Sequence, residues 1–484
     1  MNNKIFFMAI AILSFYLIVS CSKKNTVTET SSENIDPVCY INLPSDGSSF
    51  LIGSVVEIRV IANDEDGNIV KVNFYADNQL IHEDADIPYQ YLWDTSEETD
   101  GIKLIHAIAI DDEGAVASDS VTVTVGWTYR QPEQIEDGWE TASLESVNID
   151  GQNLNELIHG IGNEPIGEVH SILIIKDGKL VFEEYFPGYD FSYSNVNFHG
   201  AYINFDRDTP HNTHSATKSI VSTLIGVAIE NGFINSVDDR LFSYFDSYRN
   251  LMNEENGQIT IEHLLTMTSG FEWNEWDVPP GDPNYDTHLF NISSDPISYV
   301  LSKPIVTEPG SSFYYNGAGV DLLGQLITNA SGIRLDNFAG QYLFEPLGVP
   351  SYEFQIHPSG MVYAHGDIYL TPRSMAKYGF LLLNGGEWNG SQIVSEVWIN
   401  RSISYHTQLP PIGWADGYGY LIWLQTFQNG SNNINSISAR GWGGQEIYVF
   451  PSLDMVVVFT GANYLNNPPC EYILREFILP AVLE

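Results

Sequence analysis

The sequence predicts an α+β domain over residues 127–484, preceded by an all-β sandwich over residues 37–126. Three observations carry this reading. From about Pro37 to Val125 the apolar residues alternate in short runs broken by turn residues, the mark of half-buried strands. Beyond that point a hairpin pattern is followed by helical stretches and then by strands again, which is an α+β order and not a repeating β-α alternation. One helical stretch, Ile220 to Ile229, is apolar on nearly every face, so it belongs inside a domain and not on its surface.

The chain has 484 residues, enough for two or more domains. Its 43% hydrophobic and 17% charged content indicates large cores and excludes global disorder. The 20 basic residues face 62 acidic ones, a formal charge of −42. That balance excludes nucleic acid and anionic membrane surfaces as partners. No long acidic run occurs, so the charge reads as a solvated acidic surface.

At the N-terminus Asn2-Asn3-Lys4 leads into an apolar segment, Ile5 to Val19, too short to span a bilayer comfortably. It ends Leu17-Ile18-Val19-Ser20-Cys21 and resembles a bacterial lipobox. The resemblance implies a signal peptide over 1–20, a lipid on Cys21, a polar tether over 21–36 and attachment to the membrane in the cell envelope. The alternative is an ordinary signal peptide with an incidental Cys. Of the two remaining cysteines, Cys39 alternates with Ile41 and is expected as a buried free thiol. A Cys39–Cys470 disulfide is the other option, and an oxidising envelope would permit it.

In the first region Val56 to Val60, Val70 to Phe74 and Val121 to Val125 alternate cleanly. Turn residues part them at Pro44-Ser45-Asp46-Gly47, Asp64-Glu65-Asp66-Gly67-Asn68 and Asp111-Asp112-Glu113-Gly114. Strands at this spacing suggest a small sandwich, and the segment resembles a bacterial Ig-like module. Asp64, Asp66 and Asn68 lack the spacing of an EF-hand loop and read as a tight turn rather than calcium ligands.

Gly126 to Pro132 reads as the join. A short helix is expected at Leu154 to Ile161. Ile172 to Tyr185 reads as a β-hairpin turning at Asp177-Gly178. Further helices are expected at Ile259 to Thr266, capped by Thr260-Ile261-Glu262, at Val320 to Ser331 and at Met375 to Leu383. The C-terminal strands are expected at Tyr420 to Trp423, Ile447 to Phe450 and Met455 to Thr460.

His214-Ser215-Ala216-Thr217-Lys218-Ser219 opens the buried helix, which should stop at Asn231-Gly232 with Gly232 as its cap. Ser215 and Lys218 are three apart and share a helix face. A hydroxyl is a weak nucleophile until something takes its proton, and a Lys desolvated at the edge of a core suits that task. Ser215 at the start of the helix also lies where the dipole favours a developing oxyanion. The S-x-x-K spacing occurs three times, at Ser20–Lys23, Ser215–Lys218 and Ser374–Lys377. The first straddles the processing site and the third reads as capping after Thr371-Pro372. Only the middle one is expected to open a buried helix; the bland alternative is a surface Ser and Lys.

From about Ser171 onward the chain resembles the β-lactamase-related serine hydrolases, which include class C β-lactamases, D,D-peptidases, family VIII carboxylesterases and 6-aminohexanoate-dimer hydrolases. The residues that carry this are His214 to Ser219, His263 to Gly270, Pro309-Gly310-Ser311-Ser312-Phe313-Tyr314-Tyr315-Asn316, Leu370-Thr371-Pro372-Arg373 and Gly441-Trp442-Gly443-Gly444-Gln445, in the family's order. The resemblance implies a β-lactamase/transpeptidase-like fold, an antiparallel sheet flanked by helices with an added helical region. It implies Ser215 as nucleophile, Lys218 as its base and a Tyr as the second proton-transfer group.

The family frame places that Tyr at 315, with Leu322-Leu323-Gly324 in register; Tyr314 is the reserve. The frame puts Gly317 where Asn or Ser is usual, so a contact to substrate is missing unless Asn316 supplies it. Trp442-Gly443-Gly444 stands where the family has Lys-Thr-Gly or His-Thr-Gly. Trp is uncharged and offers one N–H donor, so recognition of a carboxylate should weaken. By family analogy the N–H groups of Gln445 and Ser215 form the oxyanion hole. The motif's other reading is a tight turn between strands.

No G-x-S-x-G elbow and no H-E-x-x-H is present. His211 and His214 are three apart but have no third metal partner in reach, and read as positioning the loop. No cofactor and no metal is called for. The expected function is therefore an envelope serine hydrolase acting on a small-molecule ester or amide. The alternatives are a weak or inactive binding protein of the same fold, or a D,D-peptidase or β-lactamase.

Overall fold

The structure is a computed structural model that describes residues 34–483, apart from positions 51, 53, 100, 127, 128, 164, 165, 277, 279–281, 430 and 431. The lipobox, Cys21 and most of the expected tether lie outside the described residues. By internal contacts the chain divides into two compact units. One holds the chain up to Pro44, Glu57–Tyr91 and Leu104–Val121; the other holds Ser45–Val56, Leu92–Lys103 and Thr122–Glu484. Among the described residues no helix is long and apolar enough to cross a membrane.

The N-terminal region is all-β. Ser49–Phe50, Val116–Val125, Gly101–Asp111, Ile69–Ala76 and Gln79–Asp84 form one sheet in that order, and Val38–Leu43, Val55–Asn63 and Gln90–Asp94 form another. Every second residue of Val55–Asn63 is buried, as its alternating sequence dictates. The Asp64–Asn68 turn closes on its neighbours: Asp66 accepts from the Ile35 N–H at 3.2 Å, and the Asn68 N–H donates to Asp112 at 3.0 Å. Cys39 and Cys470 are both free thiols. Cys39 is half-buried rather than buried, its Sγ 3.8 Å from the Ala107 carbonyl, on the same strand face as buried Ile41.

The rest is built on one eight-stranded sheet. Its strands, labelled in chain order, are β1 Glu140–Thr141, β2 Val169–Lys176, β3 Lys179–Tyr185, β4 Gly417–Tyr418, β5 Trp423–Asn429, β6 Asn432–Gly441, β7 Gln445–Phe450 and β8 Met455–Gly461. Across the sheet they run β4-β5-β6-β7-β8-β2-β3-β1, so the N-terminal hairpin docks beside the last strand. Asp177 and Gly178 turn that hairpin at φ +53° and +75°, the two left-handed residues a tight β-turn needs.

Both faces of the sheet are buried. Leu173 and Ile175 on β2, with Val456 and Val458 on β8, join one core; Ile172, Ile174, Val457 and Phe459 join the other. This is why these strands read as unbroken apolar runs. Helix α1, Gly151–Asn163, covers the second face. The first face carries α2, Thr217–Glu230, α3, Ile261–Leu265, α4, Gly317–Ser331, and α5, Pro372–Leu383. In α2 every residue from Thr217 to Ala228 is buried, as the all-round apolar run requires. The helix stops at Glu230, and Gly232 follows at φ +74°.

Three details differ from the sequence reading. Strand β5 starts at Trp423 where a strand over Tyr420 to Trp423 was expected, because Leu421 sits at φ +57° and breaks the extended run. The cap of α3 is a capping box between Thr260 and His263, not one built on Glu262. Helix α5 is also largely buried, so Ser215–Lys218 is not alone in opening a buried helix.

Candidate active site

Ser215 lies in a 3₁₀ turn, His214–Ala216, that leads directly into α2. The turn is held in a conformation that a non-glycine residue rarely adopts: His214 has φ +44°. Its N–H donates to Asn212 Oδ1 at 2.8 Å. Asn212 Nδ2 in turn donates to Asp367 Oδ1 at 2.7 Å, and the His214 ring lies 3.5 Å from the same carboxylate. Hydrogen bonds and the facing His214 hold the Asp367 carboxyl below the usual carboxylate range despite its burial. His214 therefore positions the loop. His211 points elsewhere, stacked on Phe205 at 4.8 Å.

Lys218 is 2% exposed and its Nζ lies 2.9 Å from Ser215 Oγ. The one-turn offset on a buried helix end brings these two groups together. Lys218 Nζ also donates to the main-chain carbonyl of His365. It lies over the Tyr315 ring, 5.1 Å from the centroid. Tyr315 is 8% exposed and sits just ahead of α4, whose N-cap is Asn316. Tyr314 instead turns its main chain to the Met267 carbonyl, its N–H donating at 2.8 Å, and its ring packs on the core. The structure thus brings residues 215, 218 and 315 together across a hundred positions of sequence.

Asn316 uses its carbonyl oxygen for structure, while its Nδ2 has no hydrogen-bond partner among the described residues. Its Oδ1 accepts from the Gly319 N–H at 2.9 Å and caps α4, with the side chain 2% exposed. The place beside Gly317 is filled by Glu275, whose Oε2 accepts from the Gly317 N–H at 2.7 Å.

On the far side, Gly441 packs β6 against the Ser215 loop: a Cβ there would stand 2.2 Å from the Thr213 carbonyl oxygen. Trp442, Gly443 and Gly444 turn β6 into β7, with Gly443 and Gly444 at φ +83° and +95°. Gly443 is doubly required, because a Cβ would meet the Tyr464 ring at 2.4 Å. The one N–H donor of Trp442 is taken up within the protein: it donates to the Tyr464 carbonyl at 2.9 Å. What Trp442 presents is its ring, amid Phe198 at 4.6 Å, Tyr464 at 5.0 Å and His214 at 5.7 Å. Gln445 begins β7 opposite Gly441, with its side-chain amide donating to the Gly461 carbonyl. A pocket of about 600 Å³ opens along Gly441 to Gly443, Asn463 and Tyr464.

The other S-x-x-K pair is spent on structure. Ser374 Oγ lies 2.8 Å from Thr371 Oγ1, and Lys377 Nζ donates to the Gly348 carbonyl. Arg373, just ahead of that pair, ties α5 to β3 through Glu183 at 2.6 Å and also donates to Asp137 at 2.9 Å.

Sequence reasoning missed His365, Asp321, Glu275 and Trp276. Asp321, fully buried on α4, gave a signal in Val-Asp-Leu-Leu, since a carboxylate in an apolar helix implies a partner. That partner is His365: Nδ1 lies 2.7 Å from Asp321 Oδ2, and the His365 N–H donates to Asp321 Oδ1 at 3.2 Å. Burial lowers the affinity of His365 for a proton, but the Asp321 carboxylate outweighs it and raises its pKa. Trp276 stacks on the Tyr315 ring at 4.7 Å.

Comparison with known proteins agrees with this architecture. Residues 169–471 match the family model described as Beta-lactamase, and residues 37–125 match Bacterial Ig domain. The chain is 28% identical over 161 residues to monacolin J acid methylbutanoyltransferase of Aspergillus terreus, covering 31% of this chain and 39% of that protein. It is 22% identical over 265 residues to 6-aminohexanoate-dimer hydrolase of Paenarthrobacter ureafaciens, covering 52% of this chain and 66% of that protein. The chain thus spans less than two thirds of the length of these curated relatives. A crystal structure of a family VIII carboxylesterase shares the fold with a TM-score of 0.53 at 15% identity, over 68% of this chain and 96% of that one.

Proposed function

The chain belongs to the β-lactamase family, and on that premise we propose that it is an envelope serine hydrolase that cleaves an ester or amide through an acyl-enzyme on Ser215. The observation that carries this is the buried Lys218 Nζ, 2.9 Å from Ser215 Oγ and over the Tyr315 ring. Lys218 Nζ donates to the His365 carbonyl and lies 2.9 Å from Ser215 Oγ, which holds an amine where a general base is needed. Ser215 Oγ attacks the carbonyl carbon, its proton passes to Lys218, and the oxyanion falls to the N–H groups of Ser215 and Gln445. Tyr315 returns a proton to the leaving group; water, deprotonated by the same pair, then releases the acyl group as an acid.

Trp442 is itself uncharged, which favours esters and neutral amides over substrates bearing a carboxylate at that end. A fluorophosphonate probe tests the reading. We expect covalent labelling of the folded protein at Ser215, lost in Ser215→Ala. Folded wild-type protein that takes no label would leave a binding protein. Side-by-side turnover of p-nitrophenyl esters, 6-aminohexanoate amides and a chromogenic cephalosporin then sorts the substrate class, with the esters or amides expected to lead. The lipid on Cys21 belongs to the same proposal: full-length protein from cells should partition into detergent, and Cys21→Ala should move it to the aqueous phase.

A further inference from the structure

Glu275 is a carboxylate with an unusual seat. Its Oε2 accepts two N–H donors, Gly317 at 2.7 Å and Trp273 Nε1 at 2.8 Å. The seat exists because residue 317 has no side chain: a Cβ there would stand 2.9 Å from Oε2 and 3.1 Å from Oε1. Gly317 is two residues beyond Tyr315, and Trp276, the residue after Glu275, stacks on the Tyr315 ring at 4.7 Å and 15°. The carboxylate is therefore pinned beside the phenol that serves the leaving group. Among the described residues no Lys, Arg or His forms an ion pair with Glu275. Its charge is felt by the phenols nearby: burial first, then Glu275, pushes Tyr285 up to about 12.

The surroundings are aromatic. Trp276 is 47% exposed, so part of its indole stays accessible beyond the stack on Tyr315. Trp423 lies nearly parallel to both Trp276 and Tyr315, at 6.1 and 6.0 Å. A half-buried carboxylate with one oxygen that takes no hydrogen bond among the described residues, next to an exposed indole, is the chemistry that holds an ammonium group. The formal charge of −42 adds a long-range field that concentrates cations at the surface.

We propose that Glu275 and Trp276 form a subsite for an ammonium group, primary or quaternary, on the leaving-group side of the substrate. This deepens the hydrolase reading and rests on it. The competing explanation is structural: Glu275 sits on the first N–H of α4, where a carboxylate stabilises a helix by itself.

The test compares butyrylcholine with its uncharged isostere, 3,3-dimethylbutyl butyrate, at low ionic strength. We expect wild-type kcat/KM to favour the cationic ester by about tenfold or more, the scale of one charge-assisted contact. In Glu275→Gln, which keeps an oxygen for both N–H donors, that ratio should fall toward one. Tetramethylammonium should compete with the uncharged ester in the wild type. A wild-type ratio near one, or a ratio unchanged in Glu275→Gln, overturns the subsite. If Glu275→Gln does not fold, Trp276→Ala decides through the same ratio. Failure of the hydrolase reading shows separately, as absent fluorophosphonate labelling and no turnover of either ester.

Discussion

Lys218 is placed by a carbonyl, and the carbonyl by a carboxylate. Lys218 donates to the His365 main chain, and Asp321 grips that segment three ways: through the Ala364 N–H at 2.7 Å, the His365 N–H at 3.2 Å and the His365 ring at 2.7 Å. Asp321 lies on α4 and Tyr315 just ahead of it, so one helix sets both the Lys218 amine and the Tyr315 phenol. Replacing Asp321 with Asn keeps an oxygen for the two N–H groups but removes the charge that faces the His365 ring. The segment should loosen and Lys218 drift from Ser215. We expect kcat to fall by about 10- to 100-fold, the scale of a small misplacement of a catalytic group, while KM for a neutral ester changes far less. Equal losses in kcat and in the yield of folded protein, with unaltered turnover per labelled Ser215, would instead make Asp321 merely structural. Ser215 and Lys218 were legible because their relation is local, one helical turn. His365 was not, because a main-chain carbonyl leaves no trace in residue identity. Trp442 was legible as an uncharged residue, but the fate of its N–H was decided by Tyr464, far along the chain.

At the scale of elements, periodicity found what burial on all faces or on one face imposes, and missed what neighbours impose. Helix α2 and strands β2 and β8 were legible because a fully buried element must be apolar throughout. Strand β6, Asn432–Gly441, was not: Asn433, Asn435, Ser436 and Ser438 carry little strand preference. It is a strand because β5 and β7 flank it, pairing Thr426 with Asn435 and Ala439 with Ile447. This polar strand is the one that reaches the site, since Gly441 at its end lets the backbone close on Thr213. The two S-x-x-K helices make the same point. Both α2 and α5 are buried, and the spacing alone does not separate them. They part by partners: Lys218 meets a serine hydroxyl and a phenol, whereas Lys377 meets a carbonyl and the Trp388 ring.

For the molecule as a whole, burying both faces of one sheet has a consequence for pH. His170 on β2 is 2% exposed, with its ring stacked on Phe205 at 3.9 Å; His211 is 6% exposed and stacks on the same ring. Burial is the leading cause of both shifts: it takes His170 well below its ordinary value and His211 to about 4, against a weaker upward pull from Thr209 and Asp206. The unfolded chain binds a proton at His211 below about 6.5, the ordinary value for the side chain, and the folded chain does not until about 4. The folded state therefore loses stability as pH falls through that window and loses nothing more to this group below it or above it. The span corresponds to about 3 kcal/mol for His211. Phe at 211 keeps an aromatic ring against Phe205 and cannot take up a proton. Urea unfolding of wild type and His211→Phe at pH 7 and pH 4 reads the effect of His211 together with its pull on the facing His170 ring, because the difference between the two proteins at one pH cancels the titrations remote from both. We expect that difference to move by about 3 kcal/mol in favour of the variant on acidification. A difference that stays constant would mean that His211 is protonated alike in both states, and that the sheet does not exclude water from this edge.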